Sequence, residues 1–165
     1  MAIPPEVAET IRRKKSQYCR FVDTKNWASV ERLALPDAKF SFHETNGSVT
    51  KVGWKHLAFS TPQAFGDFFR KLLAPADTLH NVGPGDLEMT GPAEVQAIWP
   101  MEDQLLARWT AGLIWLRGGG YYYETWVLKD GDWFLQSLRL ERTYVDMSLL
   151  VRFYSLFQSL MSKVF

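Results

Sequence analysis

The sequence predicts an α+β domain in which helices pack on one face of a curved antiparallel sheet. The first third of the chain contains two segments whose apolar residues recur at helical spacing. The second half contains long runs in which apolar and polar residues alternate, separated by turn residues. The length of 165 residues suits one domain, and an apolar content of 47% suffices for a packed core.

Two helices open the chain. The first is predicted over residues 5–24, with its apolar residues, Tyr18 among them, near one face. The basic residues 12–15 fall largely elsewhere on that helix. A second, shorter helix is predicted over residues 27–35, and it ends at Pro36 because proline cannot continue a helix.

A strand and a third helix follow. Phe40 lies in a short stretch that alternates with polar residues, as in a strand, and Asn46-Gly47 indicates a turn. Thr61 and Pro62 are typical of the start of a helix, with threonine as the N-cap and proline as the first helical residue. This helix stops before Pro75.

The remaining chain predicts strands. They span residues 79–89 (broken at Gly83-Pro84-Gly85), 94–109, 118–128 and 133–145. Asp130-Gly131, between two alternating runs, indicates a hairpin. Gly118-Gly119-Gly120 precedes a strand rather than a helix, so it predicts a flexible loop or bulge rather than a phosphate site. Residues 147–165 predict an amphipathic helix that packs on the domain, residues 1–146, or on a partner subunit.

Charge and cysteine content narrow the function classes. Lys and Arg (19) nearly balance Asp and Glu (18), which argues weakly against a nucleic-acid binder. The single cysteine, Cys19, excludes an internal disulfide and any multi-cysteine metal site, and it is expected to be a buried, inert thiol. No stretch reaches ~18 apolar residues. We therefore expect a soluble cytoplasmic protein that binds neither nucleic acid nor membrane.

Two charged residues fall on apolar strand faces. Asp103 shares its face with Trp99, and Arg142 shares its face with Leu140. A charge among large apolar side chains is costly unless it is paired or functional. Either a structural ion pair across neighbouring strands or a role in a site would account for both residues.

Three further polar residues are ordinary when each is considered alone. His80 lies at the start of a strand, Tyr18 lies on the apolar face of the first helix, and Asp23 lies near its end. A satisfied core histidine, a core tyrosine and a helix cap would explain them. The three histidines, at positions 43, 56 and 80, lack the close helical spacing of a zinc pair, so no metal site is predicted.

The order and spacing of several short motifs resemble a known family. The motifs are Tyr18-Cys-Arg-Phe-Val-Asp23 with Trp27, Leu35-Pro-Asp-Ala38, Thr78-Leu-His-Asn81, Trp99-Pro-Met-Glu-Asp103, Gly120-Tyr-Tyr-Tyr-Glu124, Asp130-Gly-Asp-Trp133 and Leu138-Arg-Leu-Glu-Arg142. Over residues 11–146 they resemble the SnoaL-like branch of the nuclear-transport-factor-2-like superfamily. Among enzyme types, the motifs resemble those of the bile acid 7-alpha-dehydratases and, more distantly, those of the scytalone dehydratases.

The resemblance implies a cone-shaped α+β barrel with an enclosed cavity between the concave sheet face and the helices. The catalytic residues it implies are Tyr18, Asp23, His80, Asp103 and Arg142, and the substrate-binding residues are Trp99, Tyr123, Phe40 and Leu140. Assembly of related domains through the outer sheet face and the C-terminal segment implies a homotrimer or homodimer.

The chemistry of these residues suits a cofactor-independent lyase. His80 can take a carbon-bound proton and return it to a leaving hydroxyl, with Asp103 or Asp23 orienting its ring and Tyr18 donating to a developing oxyanion. No cofactor is needed, because a carbonyl or phenol of the substrate serves as the electron sink. The expected substrate is a hydroxylated aromatic, steroid-like or polyketide molecule. Carbon–carbon lyase or isomerase chemistry, or a non-catalytic binding or assembly module, are the alternatives.

Overall fold

A computed structural model describes residues 3–153, which form a large sheet and three helices, followed by a helical stretch at residues 149–153. The helices are α1 (Pro5–Asp23), α2 (Trp27–Leu33) and α3 (Pro62–Leu72). The strands are β1 (Ala34–His43), β2 (Lys51–Val52), β3 (Lys55–His56), β4 (Ala58–Phe59), β5 (Ala76–Val82), β6 (Asp86–Gly91), β7 (Glu94–Ala107), β8 (Trp115–Lys129) and β9 (Asp132–Met147). The predicted α+β class and the order of the long elements are confirmed.

The main sheet is long, curved and open. Its strand order is β4-β1-β9-β8-β7-β5, and β6 also pairs with β7, while β2 and β3 form a separate ribbon. Neighbouring strands are antiparallel except β1 and β9, which run parallel. The terminal strands β4 and β5 do not pair with each other, so the expected barrel is not closed. Helix α1 packs on the edge strand β5, and α3 packs on β1, the neighbour of the edge strand β4.

The first two helices end within two residues of the predicted positions. Helix α1 has a proline in its first turn and ends at Asp23, one residue before the predicted end. Helix α2 ends at Leu33, two residues earlier than predicted. Leu35 precedes Pro36, and the proline ring disfavours helical geometry in the preceding residue, so this segment is extended and begins β1.

The third helix begins as predicted and carries an aromatic core. The Thr61 hydroxyl accepts a hydrogen bond from the Ala64 N–H at 3.2 Å, and Pro62 is the first helical residue. Phe65 is buried and stacks on Phe40 of β1, with ring centroids 4.6 Å apart. Phe40 is therefore part of the apolar packing that fixes α3 to the sheet.

The predicted hairpin between the two longest strands is confirmed. Asp130 (φ 51°) and Gly131 (φ 81°) are both in the left-handed region and connect β8 to β9. Positive φ at both central residues is typical of a type I′ turn, whose twist matches that of the strands. The turn thereby sets the register in which β8 and β9 pair.

The C-terminal prediction falls mostly outside the described residues. Met147 still belongs to β9, and residues 149–153 are helical, while the rest of the predicted helix at 147–165 lies outside the described range. Within residues 3–153, no helix is long and apolar enough to cross a membrane.

Replacing Gly131 tests the turn. A Cβ at this position would meet no atom within 4 Å, so the cost of Gly131→Ala is the backbone cost of placing an L-residue at positive φ. We expect the free energy of unfolding to fall by about 1–2 kcal/mol, measured by urea denaturation. The control is Gly91→Ala, because Gly91 has no positive φ and an added Cβ meets only the Glu94 Cβ at 3.9 Å. Equal stabilities of the two variants would contradict the turn assignment.

Candidate active site

A histidine–carboxylate pair lies where α1 ends against β5. Asp23 is the last residue of α1, and its Oδ1 lies 2.7 Å from the Nδ1 of His80. The backbone N–H of His80 donates to the Asp23 Oδ2 at 2.9 Å. A carboxylate only accepts, so the proton of neutral His80 sits on Nδ1 and the lone pair on Nε2. The Nε2 atom has no hydrogen-bond partner within residues 3–153.

Thr78 and Lys25 support the carboxylate of this pair. The Thr78 hydroxyl donates to the Asp23 Oδ1 at 3.0 Å and accepts from the Lys25 Nζ at 2.6 Å. Burial alone would raise the pKa of Asp23. Hydrogen bonds from the side chain and backbone of His80, the charge of His80 and the Thr78 hydroxyl outweigh burial, so the pKa of Asp23 lies below its ordinary value. Asp23 is therefore an ionised acceptor at neutral pH.

A second carboxylate, Asp103, is held by Arg142 instead of by the histidine. The two guanidinium nitrogens of Arg142 donate to the two oxygens of Asp103 at 2.8 and 2.6 Å. Asp103 is 4% exposed and is the direct register partner of His80, so the ion pair lies beside the histidine on the same sheet face. Of the two carboxylates proposed from the sequence to orient His80, Asp23 makes the contact.

Gly118 makes the Asp103–Arg142 pair possible. The pair spans β8, because Asp103 lies on β7 and Arg142 on β9; the predicted contact between neighbouring strands is corrected accordingly. A Cβ at Gly118 would lie 2.4 Å from the Arg142 Nη1. Gly120 is equally constrained, since a Cβ there would lie 2.0 Å from the Glu141 carbonyl oxygen. The glycine run therefore lies inside a strand, with a bulge between Gly119 and Gly120, and is not a loop.

A fully buried ion pair lies deeper on the same face. The Lys15 Nζ of α1 is 2.5 Å from the Glu124 Oε1 of β8, and both side chains are at most 1% exposed. The second oxygen of Glu124 accepts the indole N–H groups of Trp99 at 2.8 Å and Trp126 at 2.9 Å. Every hydrogen-bonding demand of the carboxylate is thus met inside the protein.

The sequence analysis missed this pair. It placed the basic residues 12–15 largely off the apolar face, but Lys14 and Lys15 are both buried. The signal was present, because Lys15 follows Ile11 by four residues and precedes Tyr18 by three, which is the spacing of one helix face. Glu124 likewise lies on the inward face of β8, together with the aromatic residues two positions before and two positions after it.

Two buried tyrosines adjoin the pair. Tyr18 of α1 and Tyr122 of β8 are 3% and 1% exposed, and their rings meet edge to face with centroids 6.3 Å apart. The Lys15 Nζ lies 4.6 Å from the Tyr18 ring centroid and 3.5 Å from the Tyr122 ring centroid. Burial raises the pKa of both phenols well above the ordinary value. Both tyrosines are therefore neutral hydrogen-bond donors.

The residues proposed to bind substrate separate into two groups. Trp99, Phe40 and Leu140 are buried on the inner face, where they belong to the core. Tyr123 is 39% exposed and faces outward, whereas its neighbour Tyr122 faces inward. Because side chains alternate along a strand, this corrects the assignment of Tyr123 to the inner wall.

Cys19 is a buried residue of α1. Burial raises the pKa of the Cys19 thiol to about 11, as expected of an unreactive core thiol. An open groove of about 590 Å³ runs along the outer face, where Glu102, Tyr121 and Tyr144 line it. Within residues 3–153, no three His, Cys, Asp or Glu side chains are grouped so that they could hold a metal ion.

Comparison with known proteins identifies the family. The family model of the SnoaL-like domain matches residues 6–139. The chain belongs to the SnoaL-like domain family. The matched span of this SnoaL-like domain includes Tyr18, Asp23, His80 and Asp103, whereas Arg142 lies just beyond it. The resemblance found from the motifs is thereby confirmed at the level of the family.

One curated protein and several solved structures are similar to this SnoaL-like domain. It is 38% identical over 144 residues to the protein named probable cyclase FGR4 of Gibberella zeae, covering 87% of this chain and 96% of the relative. A solved candidate scytalone dehydratase from Novosphingobium aromaticivorans superposes with a TM-score of 0.69 at 16% identity, covering 84% of this chain and 85% of that one. The hexachlorocyclohexane dehydrochlorinase LinA-type3 from Novosphingobium barchaimii superposes with a TM-score of 0.68 at 16% identity, covering 86% of this chain and 89% of that one. Both solved structures have the same fold as this chain.

Removing Lys15 from the SnoaL-like domain tests the buried ion pair. Lys15→Met leaves the Glu124 charge buried without its counter-ion, so we expect a loss of about 3–5 kcal/mol in the free energy of unfolding, measured by urea denaturation. The double variant Lys15→Met/Glu124→Gln removes that charge as well, so its free energy of unfolding should fall by less. Arg12→Met, at an exposed position of the same helix, is the control and should change stability by at most ~0.5 kcal/mol. A Lys15→Met variant as stable as this control would contradict the prediction.

The lowered pKa of Asp23 predicts a pH-dependent contribution to the stability of the SnoaL-like domain. The stabilisation is complete above about pH 4, the ordinary carboxyl value, and is lost as pH falls through the lower pKa of the folded state. The difference in melting temperature between wild type and Asp23→Asn should therefore be largest near neutral pH and shrink below pH 4. Asp37→Asn, at an exposed position, is the control. A difference that stays constant with pH would be incompatible with this linkage.

Proposed function

We propose that the protein is a cofactor-independent lyase, most simply a dehydratase, acting on a hydroxylated aromatic, steroid-like or polyketide small molecule. One observation carries the proposal. The ring of His80 is fixed by Asp23 through Nδ1, while Nε2 has no partner among the described residues. A histidine held in this way is a general base whose reactive atom is free to meet a substrate.

The first step is proton removal. The lone pair of the His80 Nε2 takes a proton from a carbon next to a carbonyl or phenol-type group, and the electron pair of the C–H bond moves onto the substrate oxygen. Asp23 stabilises the imidazolium that forms, since its carboxylate accepts from Nδ1 at 2.7 Å. Tyr18, a neutral buried phenol, donates a hydrogen bond to the developing oxyanion.

The second step is loss of the leaving group. The electron pair returns from the substrate oxygen and forms the carbon–carbon double bond as the C–O bond breaks. The imidazolium of His80 gives its proton to the departing hydroxyl, which leaves as water, and the histidine is neutral again. If the proton returns to a different carbon instead, the same residues carry out an isomerisation.

Arg142 contributes a fixed positive group beside this chemistry. Two of the five N–H donors of its guanidinium are used by Asp103. The remaining donors are available to a substrate oxygen, while Asp103 balances the charge. Asp103 is thus a positioning residue for Arg142 in this proposal.

A ring-closing reaction is a second candidate. It is favoured by the 38% identity to the protein named probable cyclase FGR4. In this case His80 removes the same kind of proton, and the resulting enolate attacks a second carbonyl carbon of the same molecule. The new C–C bond forms, and the second carbonyl oxygen takes the proton from the imidazolium. A carbon–carbon lyase runs this sequence in reverse.

The expected independence from a cofactor and the expected homo-oligomer remain predictions. The reaction as written uses protein side chains and the substrate's own oxygen, in keeping with the expected independence from a cofactor. The outer sheet face exposes Leu79, Tyr121 and Tyr144, the kind of surface that a homodimer or homotrimer would cover.

Replacement of His80 tests the proposal. A panel of aromatic and polyketide-type β-hydroxy ketones is incubated with the protein in deuterium oxide and followed by NMR and absorbance. Wild type is expected to exchange the proton next to the carbonyl, and to form the conjugated product or the closed ring. His80→Ala should lower the exchange rate by about 10²- to 10⁴-fold, because the general base is missing.

The control is His56→Ala, which removes an exposed histidine of β3 and should leave the rate unchanged. Absence of exchange and product with every compound, together with equal binding of the compounds by wild type and His80→Ala, would favour the non-catalytic binding module. Exchange by His80→Ala at the wild-type rate would also refute the assignment.

A further inference from the structure

Lys25 occupies a backbone position that favours glycine. It follows the end of α1, and its φ of 60° lies in the left-handed region. Its N–H donates to the Val22 carbonyl at 3.1 Å, and the Asn26 N–H donates to the Phe21 carbonyl at 2.8 Å. Glycine commonly completes a helix end of this kind, because a side chain at positive φ costs free energy. A non-glycine residue held at such a position is a reason to look for a function of its side chain.

The side chain of Lys25 begins a chain of hydrogen bonds that ends at the imidazole of His80. Its Nζ donates to the Thr78 hydroxyl at 2.6 Å. That hydroxyl donates to the Asp23 Oδ1 at 3.0 Å, and the same oxygen accepts from the His80 Nδ1 at 2.7 Å. An ammonium group only donates, so the Thr78 oxygen accepts from Lys25 and its single proton points to Asp23. Lys25 thereby fixes Thr78 as a donor to the carboxylate.

The charge of Lys25 acts on the same carboxylate. Two further charged groups act on Lys25, Asp77 and Arg108, and these form an ion pair with each other at 2.7 Å. Burial lowers the pKa of Lys25, and the charge of Asp23 counteracts this effect. A nearby cation and a donated hydrogen bond both lower the affinity of a carboxylate for a proton.

A low proton affinity of Asp23 is needed once His80 has taken a proton. The imidazolium then carries a proton on each nitrogen, and the proton on Nδ1 lies in the 2.7 Å hydrogen bond to Asp23. If Asp23 took that proton, a neutral imidazole protonated on Nε2 would remain. A neutral imidazole is a far weaker acid than an imidazolium, so it would protonate a departing hydroxyl poorly.

We propose that Lys25 is a positioning residue which, acting through Thr78, keeps the proton shared by Asp23 and His80 on Nδ1. The inference rests on the proposed function, because it concerns the step in which the imidazolium gives its Nε2 proton to the leaving group. It also accounts for a lysine at a backbone position that favours glycine.

The first test locates the proton without turnover. NMR of protein that carries isotope-labelled histidine observes the Nδ1-bound proton of His80, which is assigned by its absence from His80→Ala. In Lys25→Met and in Thr78→Val, this proton should resonate further downfield than in wild type, because a carboxylate with fewer donors attracts it more strongly. Thr78→Ser retains the hydroxyl and should keep the wild-type position.

Turnover provides a second readout. Lys25→Met should lower kcat for loss of water from the β-hydroxy ketones by about tenfold, the effect of one lost hydrogen bond to a charged group. The KM should stay unchanged, because Lys25 acts through Thr78 and not on the substrate.

Lys25→Gly separates this role from a structural one. It removes the side chain together with the backbone cost of positive φ, so its melting temperature should equal or exceed that of wild type. The Nδ1 proton should nevertheless move downfield, as in Lys25→Met. The matched control is Asp130→Gly, which makes the same backbone change at an exposed turn residue with φ 51° and should leave the proton in place.

An Nδ1 proton at the wild-type position in both Lys25→Met and Thr78→Val would overturn the inference. A Lys25→Gly variant with the wild-type resonance and the wild-type kcat would overturn it as well. Failure of the proposed function appears instead as proton exchange by His80→Ala at the wild-type rate, which the NMR measurement does not involve. The two failures are therefore distinguishable.

Discussion

The placement of α1 on the sheet depends on the ion pair between Lys15 and Glu124. The pair is sealed from solvent, and its carboxylate is completed by two indole N–H groups. A buried charge without its partner is strongly destabilising, so the helix has little freedom to slide or rotate relative to β8. Tyr18 and Asp23 lie further along the same helix, and their positions relative to His80 follow from this anchor. The ion pair thus holds in place the helix that carries two of the candidate site residues.

Among the described residues, the carboxylates of Asp23, Asp103 and Glu124 face the inside of the fold, and each has a different kind of partner. Glu124 has a lysine, Asp103 has a bidentate arginine, and Asp23 has a histidine together with a threonine hydroxyl. The first two partners are basic side chains whose nitrogens lie 2.5 and 2.6 Å from the carboxylate oxygens. The third partner is an imidazole, whose second ring nitrogen has no hydrogen-bond partner among the described residues. The mechanism that we propose gives only the carboxylate beside the histidine a part in proton transfer.

Local rules accounted for most of the fold. The Asp130-Gly131 hairpin, the Thr61-Pro62 helix start and the alternation around Asp103 each depend on a few adjacent residues, and each was predicted from the sequence. The parallel pairing of β1 with β9 and the position of the glycine run inside β8 depend on contacts between distant residues. A backbone approach as close as that of Gly120 to the Glu141 carbonyl cannot be derived from local pattern.

The candidate site also combines features that the sequence predicted with features that depend on contacts between distant residues. The five catalytic candidates came from the resemblance of the motifs to a known family, but neither Lys15 nor Tyr122 was among the residues singled out. Lys15 was placed with the basic residues that fall largely off the apolar face. Lysine is rarely buried without a partner, and the partner of Lys15 lies 109 residues away. The choice between Tyr122 and Tyr123 depends on a single step of strand register, which reverses the face of every side chain. Spacing along the chain identified reactive residue types, whereas the groups that hold them emerged only from the pairing of α1 with the sheet.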